Sequence, residues 1–357
     1  MSLSAQSGKN YKRIVIKIGS SLFFKDCAQP DFSLFRAIAS QIQELLKDGK
    51  EVILVSSGAI AHGMYLLQRQ ERPKQLSLLQ SMSAIGQNAL MNAYAEAFKN
   101  SSYHVAQILL TWDDFADPKR YLNAKNTVLS LLKLKGVPVI NENDTISTEE
   151  IKFGDNDRLS ALVAGLVSAD LLLILSDVEG LLDSEQKVIK NVKEITPQIK
   201  ALACPTGKKV CVGGMVTKIE AARIATDSGI PCLIANGNAV GSIVSAVRNP
   251  GARGTLFMPK KGLKAKKRWI AFSAKSKGTV MVDDGAQKAL RANKSLLSVG
   301  IISCSGNFEA GDIVFVADKA GEFFAKGKIA VSSKQLEKIK GSRYHKEIIH
   351  LDNIAIL

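Results

Sequence analysis

Short runs of β-branched and aliphatic residues alternate with longer stretches of helical periodicity over the first 258 residues of the chain. Residues 13–18 predict a strand, and residues 32–46 carry apolar side chains at helical spacing up to Gly49. Further strands are predicted at 51–55, 105–110, 137–140, 171–175 and 231–235. Strands that alternate with helices indicate βαβ units, so we expect an α/β fold with a mainly parallel open sheet sandwiched by helices.

The pattern changes near residue 258, where residues 259–267 form a basic stretch with Pro and Gly that is typical of a linker. Short strands follow at 279–282, 300–303, 313–316 and 325–331, separated by Gly, Asp and Asn turns. One predicted helix, around residues 286–292, interrupts them. This second pattern predicts a small β-rich barrel. We therefore expect two domains, at 1–258 and 268–357, joined by a linker at 259–267.

Cysteine and histidine usage narrows the class of protein. Five cysteines without a CxxC pair and four histidines without ligand spacing argue against a zinc site and for a reducing compartment. Residues 1–13 are polar and basic, and the apolar stretch at 159–175 is interrupted by Asp170. Neither segment has the pattern of a secretory signal or a membrane span. The sequence thus predicts a cytoplasmic protein that does not enter a membrane.

Positive charge is concentrated in the last part of the chain. The net charge is +15, and residues 259–357 contain 19 Lys and Arg against 9 Asp and Glu. A basic domain attracts polyanions such as RNA. The same charge can also serve only to keep the protein soluble, and on charge alone we prefer this interpretation.

Two clusters of carboxylate and amide side chains stand out in the first domain. Asn141-Glu142-Asn143-Asp144 follows a predicted strand, and Gly154-Asp155-Asn156-Asp157 opens a predicted helix, where Asp155, Asn156 or Asp157 could cap free N–H groups. Strand ends and helix starts on one rim are where open α/β sheets bind ligands. Such groups could hold the ammonium and carboxylate of a small amino acid, or orient lysines around phosphate.

Four further segments could meet an anion. Lys17 ends the first strand and precedes small residues whose N–H groups could form an anion nest. Ser56-Ser57-Gly58-Ala59, Ser176-Asp177 and Gly213-Gly214-Met215-Val216-Thr217-Lys218 also lie at predicted strand or helix ends. No Walker A loop is present. Each segment also fits a purely structural role, as a snorkelling lysine, a helix cap, an Asx turn or a glycine turn.

Together these segments resemble the amino acid kinase family over residues 12–357, and most closely its glutamate-phosphorylating branch, which carries a C-terminal PUA domain. The Ile140-Asn141-Glu142-Asn143-Asp144 and Gly154-Asp155-Asn156-Asp157 pair distinguishes this branch from aspartate and uridylate kinases. The remaining motifs are Val15-Ile16-Lys17-Ile18-Gly19-Ser20-Ser21, Ser56-Ser57-Gly58-Ala59-Ile60, Arg120-Tyr121-Leu122-Asn123-Ala124-Lys125-Asn126-Thr127, Gly213-Gly214-Met215-Val216-Thr217-Lys218, Val282-Asp283-Asp284-Gly285-Ala286 and Lys294-Ser295-Leu296-Leu297.

The resemblance implies a role for each matching residue. Lys17 and Lys218 are expected to neutralise the transferring phosphate, with Asp157 orienting them. The expected substrate-binding residues are Ser57, Asp144 and Asn156, supported by Asn141 and Asp155. The expected ATP-binding residues are Lys17, Ser176, Asp177, Val212, Gly213, Gly214, Met215, Val216, Thr217 and Lys218. Cys211-Val212 departs from the Gly-Thr that usually stands there, so a hydroxyl and one flexible position are lost.

The resemblance further implies an activity. We expect ATP-dependent phosphorylation of the γ-carboxylate of L-glutamate to L-glutamyl 5-phosphate, the first step of proline biosynthesis, with ATP and Mg²⁺ as cofactors. A γ-carboxylate is already ionised at neutral pH, so this chemistry needs no general base. The resemblance also implies a homo-oligomer and proline as a feedback inhibitor. Two alternatives stay open: another acid or phosphate monoester as acceptor, and RNA binding through the PUA domain.

Overall fold

The computed structural model describes residues 11–25, 29–147, 155–203, 214–239, 241–260 and 262–357. The chain divides into two compact units, one of residues 1–114 and 119–262 and the other of residues 115–118 and 263–357. We call them the first and second unit. Among the described residues, no helix combines the length and apolar character needed to cross a membrane.

An eight-stranded sheet lies at the centre of the first unit. The strands of this unit are β1 Arg13–Ile18, β2 Phe24–Lys25, β3 Gln29–Pro30, β4 Glu51–Ser56, β5 His104–Leu110, β6 Gly136–Glu142, β7 Leu171–Ser176, β8 Asn191–Val192, β9 Cys232–Asn236 and β10 Thr255–Phe257. The sheet order is β5-β6-β4-β1-β7-β9-β10-β8, while β2 and β3 pair with each other as a separate two-stranded antiparallel sheet. All neighbours in the large sheet are parallel except β9 and β10. The predicted mainly parallel sheet is therefore confirmed.

Helices cover both faces of this sheet. The helices of this part of the chain are α1 Ser20–Phe23, α2 Phe32–Lys47, α3 Ala59–Leu66, α4 Leu76–Phe98, α5 Trp112–Ala116, α6 Pro118–Lys133, α7 Asp155–Val167, α8 Pro197–Ala201, α9 Met215–Asp227 and α10 Ser242–Arg248, with a 3-10 turn at Asp144–Ile146. On one face, α2, α4 and α10 share a core cluster with side chains from β1, β4, β6, β7 and β9. On the other, α7 packs against α9 and against the central strands.

Side chains along β1 point alternately to the two faces of the sheet. Ile14, Ile16 and Ile18 belong to the core cluster under α2, α4 and α10. Because successive side chains of a strand point to opposite faces, Lys17 points to the face that α7 and α9 cover. The central strand thus delivers one cation to the packed side of the sheet, where an ionised side chain needs a partner.

Helix α9 begins before the helix over residues 219–228 that hydrophobic periodicity predicts. The helix begins at Met215, directly after Gly214, so Thr217 and Lys218 lie in its first turns rather than in a preceding loop. Gly214 has φ +65°, a left-handed conformation that glycine adopts without strain. This turn lets the helix start four residues earlier than hydrophobic periodicity indicates.

The second unit contains a five-stranded sheet with its own core. Its elements are α11 Ala265–Phe272, β11 Ser276–Val282, α12 Asp284–Arg291, β12 Ile301–Gly306, β13 Ile313–Ala317, β14 Phe323–Lys328, α13 Ser333–Ile339 and β15 Ile354–Ile356, with 3-10 turns at Ser298–Gly300 and Leu351–Asn353. The strand order is β12-β11-β13-β14-β15, mostly antiparallel. Val280, Val316 and Phe308 lie in the buried cluster of this unit. The predicted β-rich C-terminal domain is confirmed.

The prediction of a single helix in this part of the chain was wrong. Helix α11 starts at Ala265, so the last residues of the predicted linker form its first turn. Lysine, arginine and alanine favour helix, and the proline and the glycine of the basic stretch precede the helix. Helix α13 follows Ser332, whose Oγ accepts a hydrogen bond from the Gln335 N–H at 3.3 Å. That cap is a recognisable helix start that periodicity alone did not reveal.

The contact between α3 and α4 leaves no room for a side chain at Gly86. A Cβ atom there would lie 1.7 Å from the Ala59 carbonyl oxygen and 2.4 Å from the Gly63 nitrogen. We expect Gly86→Ala to lower the free energy of unfolding by about 3 kcal/mol, because overpacking forces the two helices apart. Chemical denaturation measures this, with Ser81→Ala on the exposed side of α4 as the control. A Gly86→Ala protein as stable as the control would contradict the close approach.

Candidate active site

Two lysines and one aspartate meet where β1, α7 and α9 come together. The Lys17 Nζ lies 2.7 Å from Asp157 Oδ1, and the Lys218 Nζ lies 3.5 Å from Asp157 Oδ2. The exposed fractions are 5% for Lys17, 0% for Asp157 and 8% for Lys218. One carboxylate therefore spans two buried ammonium groups, and the cluster carries a net positive charge.

Burial and charge oppose each other in this cluster. Burial raises the pKa of Asp157, but the charges of Lys17 and Lys218 outweigh it, so the pKa lies below its usual value. Burial lowers the pKa of Lys218, with the charge of Asp157 acting against the shift. Asp157 is thus ionised at neutral pH, and the excess positive charge around it suits an anionic ligand such as phosphate.

The start of α9 holds Lys218 in place. Its Nζ lies 3.3 Å from the Gly214 carbonyl oxygen, and the Thr217 Oγ1 lies 2.7 Å from Asp157 Oδ2. Met215 and Val216 form the first turn of the same helix. Two predicted ATP-binding residues, Val212 and Gly213, lie outside the described part of the chain. The other predicted ATP-binding residues of this segment, Gly214 to Lys218, therefore lie directly beside the buried cluster.

Ser176 and Asp177 lie at the end of β7, the neighbour of β1 in the sheet. The Ser176 hydroxyl donates a hydrogen bond to Asp177 Oδ1 at 2.9 Å. Ser176 is buried, while Asp177 is exposed. Since β1 and β7 are parallel, their carboxyl ends share one edge of the sheet, and this pair lies at the edge where Lys17 stands.

Three of the predicted substrate-binding residues are joined by hydrogen bonds. The Asn156 Nδ2 donates to Ser57 Oγ at 2.9 Å and to Asn141 Oδ1 at 2.8 Å. These residues come from α7, from the turn after β4 and from the end of β6. Asn156 and Asp157 are consecutive, so this group is covalently tied to the lysine cluster. For Asp155 the structure describes only the backbone, as the first residue of α7.

None of the described cap candidates acts as a helix cap in the way the sequence suggested. The Asp157 carboxylate pairs with the lysines and with Thr217, and the Asn156 amide donates to Asn141 and Ser57. Side chains that could satisfy the free N–H groups of α7 are instead used to build the cluster.

Asp144 lies in the 3-10 turn after β6. Its Oδ2 accepts a hydrogen bond from Ser83 Oγ at 2.5 Å. Burial raises the pKa of Asp144, while this hydrogen bond and the charge of Arg72 act against the shift. Asp144 also lines a cavity of about 330 Å³ together with Ser83, Gln87, Gln107 and Glu142. A buried carboxylate at a cavity wall can bind a small cation such as an ammonium group.

Sequence reasoning missed the contribution of α4 to this region. Ser83 and Gln87 are buried polar residues spaced four apart, so they lie on the same face of the helix. Ser83 donates to Asp144, and Gln87 Oε1 accepts from Asn141 Nδ2 at 2.8 Å. The only available signal was a pair of polar residues on the apolar face of a predicted helix, a pattern that does not reveal its partners.

The described residues do not form a metal cage. No group of three or more His, Cys, Asp or Glu side chains among them is arranged to hold a metal ion.

Comparisons with known proteins identify the family and the fold of the chain. The profile of the amino acid kinase family matches residues 12–236, and that of the PUA domain matches residues 278–351. The solved carbamate kinase from Giardia lamblia bound to AMP-PNP aligns with a TM-score of 0.51 at 20% identity, covering 70% of this chain and 99% of that chain. This likeness shows a shared fold.

Curated relatives named glutamate 5-kinase align along nearly the whole chain. The relative from Thermoanaerobacter sp. (strain X514) is 42% identical, over 97% of this chain and 98% of its own length. The relative from Caldanaerobacter subterraneus subsp. tengcongensis is 43% identical with the same coverage. That from Syntrophotalea carbinolica is 43% identical over 97% of both. The chain therefore belongs to the amino acid kinase family, as a member that continues into a PUA domain.

Proposed function

We propose that this protein transfers the γ-phosphoryl group of ATP to the γ-carboxylate of L-glutamate, giving ADP and L-glutamyl 5-phosphate, the first step of proline biosynthesis. Relatives named glutamate 5-kinase, 42–43% identical over 97% of the chain, support it. The observation that carries the proposal is the buried Lys17–Asp157–Lys218 cluster, joined through Asn156 to a group of polar side chains suited to an amino acid.

The reaction brings two anions together, and the two lysines make this feasible. A γ-carboxylate oxygen attacks the γ-phosphorus of ATP, a new P–O bond forms, and the bond to the bridging oxygen of ADP breaks. Lys17 and Lys218 would contact the transferring group and stabilise the charge on its oxygens. Asp157 would hold both ammonium groups at the correct places. The acceptor is already ionised, so no side chain needs to remove a proton.

The nucleotide would lie along the edge formed by the ends of β1 and β7 and the start of α9. Ser176, Asp177, Gly214, Met215, Val216 and Thr217, together with Val212 and Gly213, are the residues we assign to ATP. When bound, Mg²⁺ supplies positive charge that neutralises the phosphate oxygens. Backbone N–H groups at the start of α9 would add partial positive charge toward the same phosphates.

The amino acid end of glutamate would be held away from the lysines. Asp144 and the Asn156 amide oxygen would bind the ammonium group, and Ser57 and Asn141 would lie beside the α-carboxylate, with Asp155 in support. Proline has an ammonium and a carboxylate on the same carbon, so it could occupy the same groups, and we include it as a feedback inhibitor. A homo-oligomer in the cytoplasm completes the proposal.

An acceptor panel tests the proposed function. ADP release is measured with Mg²⁺-ATP and, in turn, L-glutamate, L-aspartate, carbamate and UMP. We expect release that depends on L-glutamate and that is far slower with the other three acceptors. Equal or faster release with any other acceptor, or no release with L-glutamate, would overturn the proposal.

The two compact units suggest a division of labour, with every proposed site residue in the first unit. We expect a chain that ends at Gly262 to fold and to retain glutamate-dependent ADP release of the same order as the full chain. The cut is placed there because Lys260 N still donates to Thr226 O at 3.0 Å and its Nζ pairs with Asp227. A folded but inactive shortened chain would show that the second unit contributes to catalysis.

A further inference from the structure

Four amide side chains form a continuous line of hydrogen bonds that ends at the proposed binding site for L-glutamate. The Asn156 Nδ2 donates to Asn141 Oδ1 at 2.8 Å, and the Asn141 Nδ2 donates to Gln87 Oε1 at 2.8 Å. The Gln87 Nε2 then donates to Gln107 Oε1 at 3.1 Å. We call these residues the amide line. It runs from α7 through β6 and α4 to β5.

The direction of every bond in the amide line is set by one backbone group. The Glu142 N–H donates to Asn141 Oδ1 at 2.9 Å, and a backbone N–H can only donate. Asn141 must therefore present its oxygen on that side and its NH₂ group on the other, toward Gln87. Asn156 must in turn present its NH₂ group to Asn141. The orientation of each amide follows from this donor rather than from a free choice of rotamer.

The direction of these hydrogen bonds leaves one acceptor atom, the Asn156 Oδ1, without a described donor at the proposed glutamate site. The Asn156 Nδ2 is used by Asn141 and Ser57, so its Oδ1 points elsewhere. That oxygen is buried and has no hydrogen-bond partner among the residues the structure describes. A buried acceptor left without a donor is costly, so the site is built to receive a donor from a ligand. The ammonium group of an amino acid supplies one.

We propose that Gln87 is a positioning residue for the amino acid acceptor, acting through Asn141 and Asn156. The inference rests on the proposed function, because it takes an amino acid as the ligand. Gln87 and Asn141 are buried, with exposed fractions of 8% and 3%. Asn141 is the more deeply buried of the two, so its Nδ2 has little access to water once the Gln87 oxygen is removed. Without that oxygen, Asn141 loses the contact that holds its plane, and Asn156 loses its fixed orientation.

Gln107 closes the outer end of the amide line but contributes less. Its side chain is exposed, so water can take over the hydrogen bond to Gln87 Nε2 if Gln107 is replaced. Its exposure also lets its amide turn over. A carboxylate at position 87 could then still accept from Asn141 while Gln107 donates to the second oxygen. We therefore expect a larger effect on glutamate binding from substitution of Gln87 than from substitution of Gln107.

Steady-state kinetics of the full-length protein tests the proposal. We expect Gln87→Met to raise the KM for L-glutamate about tenfold, the size of one lost buried hydrogen bond, with kcat and the KM for ATP within about threefold. Gln87→Glu, which keeps the acceptor oxygen, should return the KM for glutamate to within about threefold of the unmodified protein. Gln107→Met should also raise the KM for L-glutamate, but by a smaller factor than Gln87→Met. The Gln107→Met variant still tests the proposal if Gln87→Met does not fold.

Gln41→Met provides the matched control. Gln41 is a partly buried glutamine in α2 whose Oε1 accepts from the Ile243 N–H at 2.9 Å, outside the proposed site. We expect it to change stability without changing the KM for glutamate. An unchanged KM in Gln87→Met, a parallel rise in the KM for ATP, or a Gln87→Glu protein as impaired as Gln87→Met would each overturn the inference alone. Absence of glutamate-dependent activity in the unmodified protein would overturn the proposed function and the inference with it.

Discussion

Lys17→Ala and Lys218→Ala are each expected to lower kcat by about 10²- to 10³-fold, the usual loss when one charge contact to a transition state is removed. Each lysine lies against Asp157 in a buried cluster, so water replaces its charge poorly. The single variants should stay folded, because Asp157 keeps the other lysine and the Thr217 hydroxyl. The KM for glutamate should change far less than kcat.

Turnover is measured as glutamate-dependent ADP release, and circular dichroism checks the fold. Lys187→Ala is the matched control, since Lys187 is an exposed lysine of the same unit that pairs with Glu185 on the surface. Exposed pairs of this kind contribute little, so its turnover should be normal. Near-normal turnover in both folded Lys17→Ala and Lys218→Ala proteins would remove the basis of the catalytic assignment.

Asp144→Ala is expected to raise the KM for glutamate by about 10- to 100-fold, the cost of losing a hydrogen bond to a charged group. Asp144 lies on the cavity wall beside Ser83, and its contacts do not include the lysine cluster. The KM for ATP should therefore stay nearly constant. Asp144→Asn should show most of the same effect, because it retains the shape but loses the charge that the ammonium group needs.

The same ADP assay, with each substrate varied in turn, separates the two constants. Asp48→Ala, which removes an exposed carboxylate that pairs with Arg248, serves as the control. Equal effects on both substrates, or an effect on ATP alone, would show that Asp144 does not select the amino acid.

Much of the first unit follows from pattern alone, for clear physical reasons. Buried parallel strands are continuous apolar runs, so β1 and β7 were predicted within a residue of their observed ends. The polar residues that follow such strands mark the ligand-binding edge of the sheet, which is where Lys17, Asn141 and Ser176 lie. The ligand-binding edge of the sheet can be predicted from the sequence because the ends of strands are local features of the chain.

The rest of the site depends on contacts between distant segments. Gln87 lies 54 positions from Asn141, and nothing in the local pattern of α4 shows that a glutamine there meets the end of β6. The early start of α9 likewise depends on the left-handed turn at Gly214, which hydrophobic periodicity cannot register. In the second unit, α11 and α13 are short and weakly periodic, so only their caps and composition could have indicated them.

Trapping the product tests the central claim most directly. Acyl phosphates react with hydroxylamine to give hydroxamates, so the full-length protein is incubated with Mg²⁺-ATP, L-glutamate and hydroxylamine, and the product is identified by mass spectrometry. We predict L-glutamate γ-hydroxamate, formed in step with ADP and nearly absent with Lys17→Ala. ADP formation without the hydroxamate, or an α-hydroxamate in its place, would contradict transfer to the γ-carboxylate at this site.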